Sequence, residues 1–508
     1  MQSGVLLARN TVRVAGHCRT PAGVSGSIPA VARRPAGCMG MRGATNAGMR
    51  TVSGTGSGRG SGSSRVAVVA AAAGSAAVLS ALPAWLLVPA AVLLAAGGLI
   101  SLAAWLDARA KTAVPSLQMA PTPFNTAVMA AVPSVYRPYR PTPGLTNGHV
   151  ETIFASLNRS RPDVDYRREF LHTADGGIVT LDWEHFGEGE DDLPEDAPVL
   201  ILLPGLTGGS GCSYVRHCLV RMRRAGVRSV VFNSRGTADS PVTTPQFYSA
   251  SFTGDMRAVV ARVAACRPRS TLIAAGWSLG GNILLRYLGE QGEDTPIAAA
   301  VSMCNPFNLT ISNANFEKGF NNVYDRSLAK GLRKIFSKHE MVWRGAQDSS
   351  RPQDVATVTT VRAFDEAITR HTFGWPSVDA YYAGSSSSLS VPNLRVPTLC
   401  IQALDDPIAP REAIPYAALA ANDNCVLVCT PTGGHLGWVA AGAEGGVVGE
   451  PWTDAVVEEW LCAVLKQLPA TARGCGDGSG NGNGTAAATA GRELLEVAAV
   501  AAAGTAGR

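Results

Sequence analysis

The sequence has no CxxC pair and no histidine at the spacing of a zinc site, although it contains eleven cysteines. An odd number of cysteines without a pattern argues against a disulfide framework and indicates buried or free thiols in a reducing compartment. Charged residues make up only 16% of the chain, and the net charge is +5; the N-terminal segment, with many Arg and no acidic residue, supplies much of the positive charge. These absences exclude a zinc site, a disulfide-rich scaffold and a nucleic-acid-binding surface, and nothing indicates another metal or an organic cofactor.

Acidic residues are absent before Asp107, and residues 66–106 contain no charged side chain of either sign. About 20 apolar residues cross a bilayer, so this run predicts a transmembrane segment over 66–106. Pro83 and Pro89 interrupt it, and it fits either one long tilted span or two short spans in a hairpin. The run is too long, and too far along the chain, for a simple cleaved signal peptide.

The composition divides the rest of the chain into four parts. Residues 1–65 are rich in Arg, Gly and Ser, as in an organelle transit peptide or a disordered tail, and both interpretations stay open. Residues 107–136 contain several prolines and are expected to form a linker. Residues 137–468 have the mixed composition of one globular α/β domain, which is long enough to bury a core. Residues 469–508 are rich in Gly, Asn, Ala and Thr and are expected to be a disordered tail.

Within the globular part, short apolar runs alternate with helix-like stretches. Strands are predicted at residues 167–172, 178–183, 199–203, 229–232, 271–275, 297–303, 398–403 and 425–428. The first two are joined through Asp175-Gly176-Gly177, a hairpin signal. The alternation predicts an α/β fold with a mostly parallel sheet and helices on both faces. It stops over residues 306–391, between the sixth and seventh predicted strands, where we expect a cap over the sheet edge, with extra helices on the edge of the core as the alternative.

A nucleophile motif follows the fifth predicted strand. Gly276-Trp277-Ser278-Leu279-Gly280 matches G-x-S-x-G and precedes a helix-like stretch. In the α/β-hydrolase fold such a turn exposes the serine hydroxyl above the sheet, at the start of a helix. The alternative, a glycine-rich turn with an idle serine, does not explain the strand before the motif and the helix after it. We therefore predict Ser278 as a nucleophile.

A serine hydroxyl needs a base, and the base needs an orienting acid, which this fold supplies in the order Ser, acid, His. His339 and His371 fall in the expected cap, which leaves His435, on a loop after the last predicted strand. Asp405 and Asp406 follow the seventh predicted strand. The spacing to the following isoleucine and proline favours Asp406 as the acid, and we expect Asp405 to bond to nearby backbone instead.

An oxyanion hole requires two backbone N–H donors. One is expected from Leu279, directly after the nucleophile. The glycine-rich loop after the third predicted strand, residues 204–209, offers Leu206 or Thr207 as the second donor. The alternative is that these glycines only serve a turn.

Many short blocks along residues 137–468 together resemble the AB hydrolase 4 family. The blocks are His149-Val150-Glu151-Thr152, Pro204-Gly205-Leu206-Thr207-Gly208, Asn233-Ser234-Arg235-Gly236, Gly276-Trp277-Ser278-Leu279-Gly280-Gly281-Asn282, Asn305-Pro306-Phe307, Phe364-Asp365, Asp379-Ala380-Tyr381-Tyr382, Asp405-Asp406-Pro407 and Gly433-Gly434-His435. The resemblance implies an α/β-hydrolase fold and the same triad of Ser278, Asp406 and His435. Glu151 departs from the family, in which many members have Gln at this position.

The resemblance further implies an esterase or lipase that acts on carboxylic esters, monoacylglycerols or phospholipids, with an N-terminal membrane anchor. Two alternatives stay open: an acyltransferase that passes the acyl group to an alcohol, and a non-catalytic scaffold that keeps the fold. The expected partners are a lipid or small ester substrate and a membrane, without nucleic acid, and the oligomeric state is not determined. We expect a membrane protein with one or two spans. Because some plant and algal members of the family it resembles are plastid-targeted, a plastid or endomembrane compartment is the expected location, and a mitochondrial location also stays open.

Overall fold

The computed structural model describes residues 84–185, 193–344, 355–442 and 446–468. The tails expected over 1–65 and 469–508 lie outside the described residues, as does most of the first half of the expected transmembrane run. The described strands form one nine-stranded sheet in the order β1-β9-β8-β7-β6-β4-β5-β3-β2. The strands are β1 Ser116–Met119, β2 Asp165–His172, β3 Ile178–His185, β4 Val199–Leu203, β5 Arg228–Asn233, β6 Leu272–Trp277, β7 Ile297–Met303, β8 Thr398–Ala403 and β9 Cys425–Thr430.

The helices follow the strands in the alternation that the sequence predicts. They are α1 Ala84–Ala110, α2 Pro123–Ala130, α3 Gly148–Asn158, α4 Ser213–Arg224, α5 Gly254–Cys266, α6 Leu279–Gln291, α7 Leu309–Phe316, α8 Asn322–Arg344, α9 Val361–Phe364, α10 Arg370–Thr372, α11 Val378–Ser385, α12 Tyr416–Ala420 and α13 Trp452–Gln467. A π-helical turn, Asp365–Thr369, joins α9 to α10. Strands β4 to β9 run parallel to one another, whereas β1, β2 and β3 pair antiparallel at the two ends of the sheet. The predicted α/β class and its mostly parallel sheet are therefore confirmed.

The sheet separates two hydrophobic cores, because successive side chains of a strand point to opposite faces. In β4, Leu200 and Leu202 belong to one core, together with side chains of α4 and α13. Val199, Ile201 and Leu203 belong to the other core, against α5 and α6. Every residue of β4 is buried, which explains its continuous apolar sequence.

The segment expected to be a linker, 107–136, is instead part of the folded unit. Strand β1 pairs antiparallel with β9, and α2 begins at Pro123 behind the cap residue Thr122, whose hydroxyl accepts the N–H of Asn125. The strand has only four residues and its pairing partner lies some 300 residues away, so no local pattern announces it. With β1 included, the expected insertion over 306–391 lies between β7 and β8.

Helix α1 carries the second half of the uncharged run. Among the described residues, one helical segment, Val92–Ala110, is long and apolar enough to cross a membrane, and little of it is buried against the rest of the chain. Leu93, Leu99 and Ile100 are among its exposed side chains. This exposure distinguishes the segment from the core helix of a soluble domain.

Candidate active site

The turn around Ser278 joins the end of β6 to the start of α6. Ser278 has a positive φ of 52°, a conformation that costs a non-glycine residue free energy, and its N–H donates to the carbonyl oxygen of Met303 at 2.9 Å. A Cβ on Gly276 would lie 2.6 Å from the carbonyl oxygen of Gly280, and a Cβ on Gly280 would overlap the carbonyl oxygen of Leu203. Both flanking glycines are therefore required by close backbone approach.

The three residues predicted as a triad come together at the carboxyl edge of the sheet. His435 Nε2 lies 3.0 Å from Ser278 Oγ, and His435 Nδ1 lies 2.8 Å from Asp406 Oδ2. All three side chains are buried. They follow β6, β8 and β9, whose carboxyl ends lie at one edge because the strands are parallel and only β7 stands between β6 and β8. The geometry is that of a nucleophile, its base and the acid that orients the base.

The two adjacent aspartates have different partners. The other oxygen of Asp406, Oδ1, accepts the N–H groups of Ile408 and Ala409, both at 2.8 Å. The Oδ1 of Asp405 instead accepts the N–H of Gly434 at 2.9 Å. Burial raises the pKa of Asp405 to about 6. The structure thus places Asp406 on the histidine and Asp405 on the backbone of the loop that carries it.

The loop that carries His435 is held from beneath by helix α3 and the residue that follows it. The N–H of His435 donates to Thr152 Oγ1 at 2.8 Å, and that hydroxyl donates to the carbonyl oxygen of Gly148 at 2.6 Å. Arg159 donates to the carbonyl oxygen of Leu436 at 2.7 Å and also to that of Gly437. These contacts fix the backbone on both sides of the imidazole.

Glu151 lies under the same loop and is fully buried. Its Oε1 accepts the N–H of Val439 at 2.6 Å and the hydroxyl of Tyr139 at 2.9 Å, while Oε2 has no partner in the described part of the chain. Burial raises the pKa of Glu151 to about 8, and the nearby Asp405 raises it further, against the two hydrogen bonds and Arg159. The carboxyl group is therefore mostly protonated at neutral pH.

Sequence reasoning noticed the block that contains Glu151 and Thr152 but assigned it no role, and it missed Arg159. These side chains support the histidine loop from almost 300 positions away along the chain. The signal for Glu151 and Thr152 in the sequence is the position of their block in the family resemblance, whereas Arg159 lies outside the blocks.

Two backbone N–H groups are available beside Ser278. Leu206 and Leu279 both line the cavity at the nucleophile, and no described residue accepts either of their N–H groups. Thr207, the other expected donor, has a positive φ of 62° and donates its N–H to the hydroxyl of Tyr248 at 2.9 Å. The geometry therefore favours Leu206 over Thr207 as the partner of Leu279.

A largely apolar cavity of about 330 Å³ opens beside Ser278 and His435. The segment between β7 and β8 supplies much of its wall through Leu309, Phe316, Leu328, Leu332 and Ile335. One buried carboxyl, Asp365, also lines it and is bonded to the hydroxyls of Tyr382 at 2.8 Å and Thr369 at 2.6 Å. Burial raises the pKa of Asp365 to about 6. Because both its oxygens are occupied, Asp365 serves the wall rather than presenting a free charge to the cavity.

Two other blocks of the resemblance serve the framework. Arg235 is buried and forms ion pairs with Asp255 at 2.6 Å and with Asp175 at 2.6 Å. Asn282 donates to the carbonyl oxygens of Ala250 and Ser385 at 3.2 and 3.0 Å. The ion pairs of Arg235 join the end of β5 to the β2–β3 hairpin and to α5, and Asn282 joins α6 to the segment between β7 and β8.

Comparison with known proteins identifies a matching family and several related proteins. The sequence model of a family described as alpha/beta hydrolase fold matches residues 198–437. The embryogenesis-associated protein EMB8 of Picea glauca is 54% identical over 340 residues, which cover 66% of this chain and 74% of that protein. The phospholipase ABHD3 of Homo sapiens is 34% identical over 320 residues, covering 62% of this chain and 77% of that protein. A monoacylglycerol lipase of Saccharomyces cerevisiae is 29% identical over 335 residues, covering 58% and 74%.

Proposed function

Because this chain belongs to the alpha/beta hydrolase family, we propose that it is a serine hydrolase that cleaves carboxylic esters through an acyl-enzyme intermediate. Relatives named as a phospholipase and a monoacylglycerol lipase support ester hydrolysis as the activity. The single observation that carries the proposed mechanism is the hydrogen-bonded series from Ser278 through His435 to Asp406.

In the first half-reaction, Ser278 Oγ attacks the ester carbonyl carbon while its proton passes to His435 Nε2. Asp406 holds the imidazole with its Nδ1–H directed at the carboxylate and stabilises the imidazolium that forms. The carbonyl oxygen becomes an oxyanion, which the N–H groups of Leu279 and Leu206 stabilise. Loss of one such donor typically lowers the rate by about 100- to 1,000-fold.

The tetrahedral intermediate then collapses. The bond to the alcohol breaks, the alcohol leaves with the proton held on His435, and the acyl group stays on Ser278. Water attacks this acyl-enzyme in the second half-reaction, with His435 taking the proton and returning it to Ser278 as the carboxylic acid departs. The same imidazole thus serves as base and acid in turn.

The cavity favours a fatty acyl group as the substrate's acid portion. The wall of the cavity is mainly apolar. Ligand sites typically have volumes of about 300–1,000 Å³, so the volume of this cavity, about 330 Å³, suits one acyl chain better than a whole two-chain lipid. The segment between β7 and β8 would act as a cap, since its helices form the wall opposite the nucleophile. The head group would lie towards the opening.

We also propose that α1 anchors the protein in a membrane and thereby keeps the cavity near lipid. Its length, apolar composition and exposure support this role. We further propose that this membrane belongs to a plastid or an endomembrane compartment, with residues 1–65 as a transit peptide.

A fluorophosphonate probe tests the nucleophile directly. Purified full-length protein should be labelled, and Ser278→Ala should lose labelling and ester hydrolysis together. Ser312→Ala is the matched control, because Ser312 lines the same cavity without contacting the histidine, and it should keep both. Undiminished labelling of Ser278→Ala would refute the assignment. Product analysis with ethanol present then separates hydrolysis from transfer to an alcohol.

A further inference from the structure

Helix α3 exposes two large apolar side chains and buries two polar ones, the reverse of what an ordinary surface helix does with such residues. Val150 is 46% exposed and Leu157 is 76% exposed, while Glu151 and Thr152 are buried. Val150, half-buried Ile153 and Leu157 stand at i, i+3 and i+7, so they lie on one side of the helix. This side faces away from the domain.

Two further exposed apolar side chains lie at the start of α8 and in the turn just before it. Phe320 is 51% exposed and Val323 is 49% exposed. The ring of Phe320 meets the ring of His149, at the first turn of α3, edge-on with 5.2 Å between centroids. We refer to Val150, Ile153, Leu157, Phe320 and Val323 as the outer patch. Exposed apolar side chains grouped on neighbouring elements in this way mark a site of interaction.

The outer patch begins where the apolar helix α1 ends. Thr146 donates its hydroxyl to the carboxylate of Asp107, and Lys111 Nζ donates to the carbonyl oxygen of Thr146 at 3.2 Å. Thr146 directly precedes Asn147, whose side chain caps the N-terminus of α3. A single residue, Asn147, therefore separates the point at which α1 is fastened from the first residue of α3.

Exposed basic side chains surround the same point. Tyr139 pairs with Ala113, just beyond α1, through backbone hydrogen bonds of 2.8 and 3.3 Å. Its neighbours Arg137 and Arg140 are exposed, as is Arg109 in the last turn of α1. Basic residues beside a membrane-spanning helix lie at the level of the lipid head groups and attract anionic lipids.

We propose that the outer patch binds the surface of a lipid bilayer, with α3 lying in the head-group region beside the point where α1 leaves the membrane. The inference rests on the proposed anchoring role of α1 and extends it to the catalytic domain itself. A bilayer, rather than a protein, is the occupant because the patch adjoins the apolar helix and the exposed arginines. The inner side of α3 carries the loop of His435, so the domain would be held with its catalytic edge next to lipid.

Photo-crosslinking in phosphatidylcholine nanodiscs tests this placement on the full-length protein. The photoreactive residue p-benzoylphenylalanine is introduced at Leu157, at Leu99 within α1, or at Phe170. Phe170 is the matched control, since it is an exposed aromatic on β2, at the edge of the sheet opposite to β1. Mass spectrometry should detect lipid adducts at positions 157 and 99 and none at 170.

The outcomes separate the two proposals. Adducts at 99 without adducts at 157 would overturn the bilayer contact of α3 and leave the anchor in place. Absence of adducts at 99 would overturn both. A crosslink from 157 to protein, within the chain or to a second copy, would show that the outer patch is covered by protein and would also overturn the inference.

An activity measurement gives an independent test. The double variant Val150→Ser/Leu157→Ser should lose roughly tenfold or more in kcat/KM on a lipid ester embedded in vesicles, because two apolar side chains lose their contact with the membrane. Its kcat/KM on a soluble short-chain ester should stay within about twofold, since neither side chain contacts the triad. Phe170→Ser should leave both substrates unaffected. Equal losses on both substrates would contradict the docking role.

Discussion

The buried carboxyl of Glu151 makes the stability of the protein depend on pH in a direction that can be measured. Its pKa is raised from 4.5 to about 8 in the folded protein. The contribution of the Glu151 carboxyl to the free energy of unfolding is therefore complete below about pH 4.5 and is lost as the pH rises towards 8. The reason is that this carboxyl ionises at a lower pH in the unfolded chain than in the folded protein. Each pKa unit corresponds to about 1.4 kcal/mol, so the complete loss amounts to about 4–5 kcal/mol.

Glu151→Gln should remove this loss. The amide oxygen of Gln can accept the same two hydrogen bonds from Tyr139 and Val439, and its NH2 group takes the place of Oε2, which has no partner among the described residues. The variant should gain about 1.4 kcal/mol in the free energy of unfolding near pH 5.5 and over 4 kcal/mol near pH 8.5.

The assay is thermal unfolding of the full-length protein in detergent, followed by tryptophan fluorescence at both pH values. A domain of this size changes its Tm by roughly 2 °C per kcal/mol, so the advantage of the variant should grow by about 5 °C between the two conditions. Glu293→Gln, at an exposed position, is the control and should show no growing advantage. A pH-independent difference, or a less stable variant near pH 8.5, would show that Glu151 is ionised and favourably paired.

Three further substitutions test the site. Asp406→Asn should lower kcat on a soluble ester by about 1,000- to 10,000-fold, whereas Asp405→Asn should lower it by less than about tenfold. A larger loss in Asp405→Asn than in Asp406→Asn would show that Asp405 is the acid that orients His435. Gly280→Ala should yield little folded protein by size-exclusion chromatography, since the new Cβ overlaps the carbonyl oxygen of Leu203; a normal yield would contradict the required close approach. Leu332→Trp narrows the cavity and should shift the preference in kcat/KM towards esters with shorter acyl chains. An unchanged preference would show that the acyl group binds outside this cavity.

Features with a local cause were predictable from the sequence. The buried parallel strands appear as apolar runs such as β4, and the hairpin between β2 and β3 is marked by Asp175-Gly176-Gly177. The turn at Ser278 is equally local, because the glycines on either side are required within a few residues of the serine. The choice of Asp406 over Asp405 followed from its spacing to Pro410, and the structure places Asp406 on the imidazole.

Features with a distant cause were not predictable in the same way. Strand β1 depends on pairing with β9, and four residues carry too little periodicity to be recognised. Thr152 and Arg159 act on a loop far along the chain, so nothing in their immediate neighbourhood announces the contact. The choice of Leu206 over Thr207 as the second oxyanion donor depends on Tyr248, whose hydroxyl accepts the N–H of Thr207.

The sequence by itself determined the fold class, the order of β2 to β9 along the chain and the chemical types of the three residues expected to react. Apolar periodicity and glycine-rich turns are properties of neighbouring residues, which is why the sequence reveals them. Only the tertiary structure decided how His435 is held and that Glu151 lies buried beneath its loop with a raised pKa. It also decided that α3 presents an apolar face to the surroundings. Burial, hydrogen-bond partners and exposure are set by what packs against a residue, and those neighbours come from distant parts of the chain.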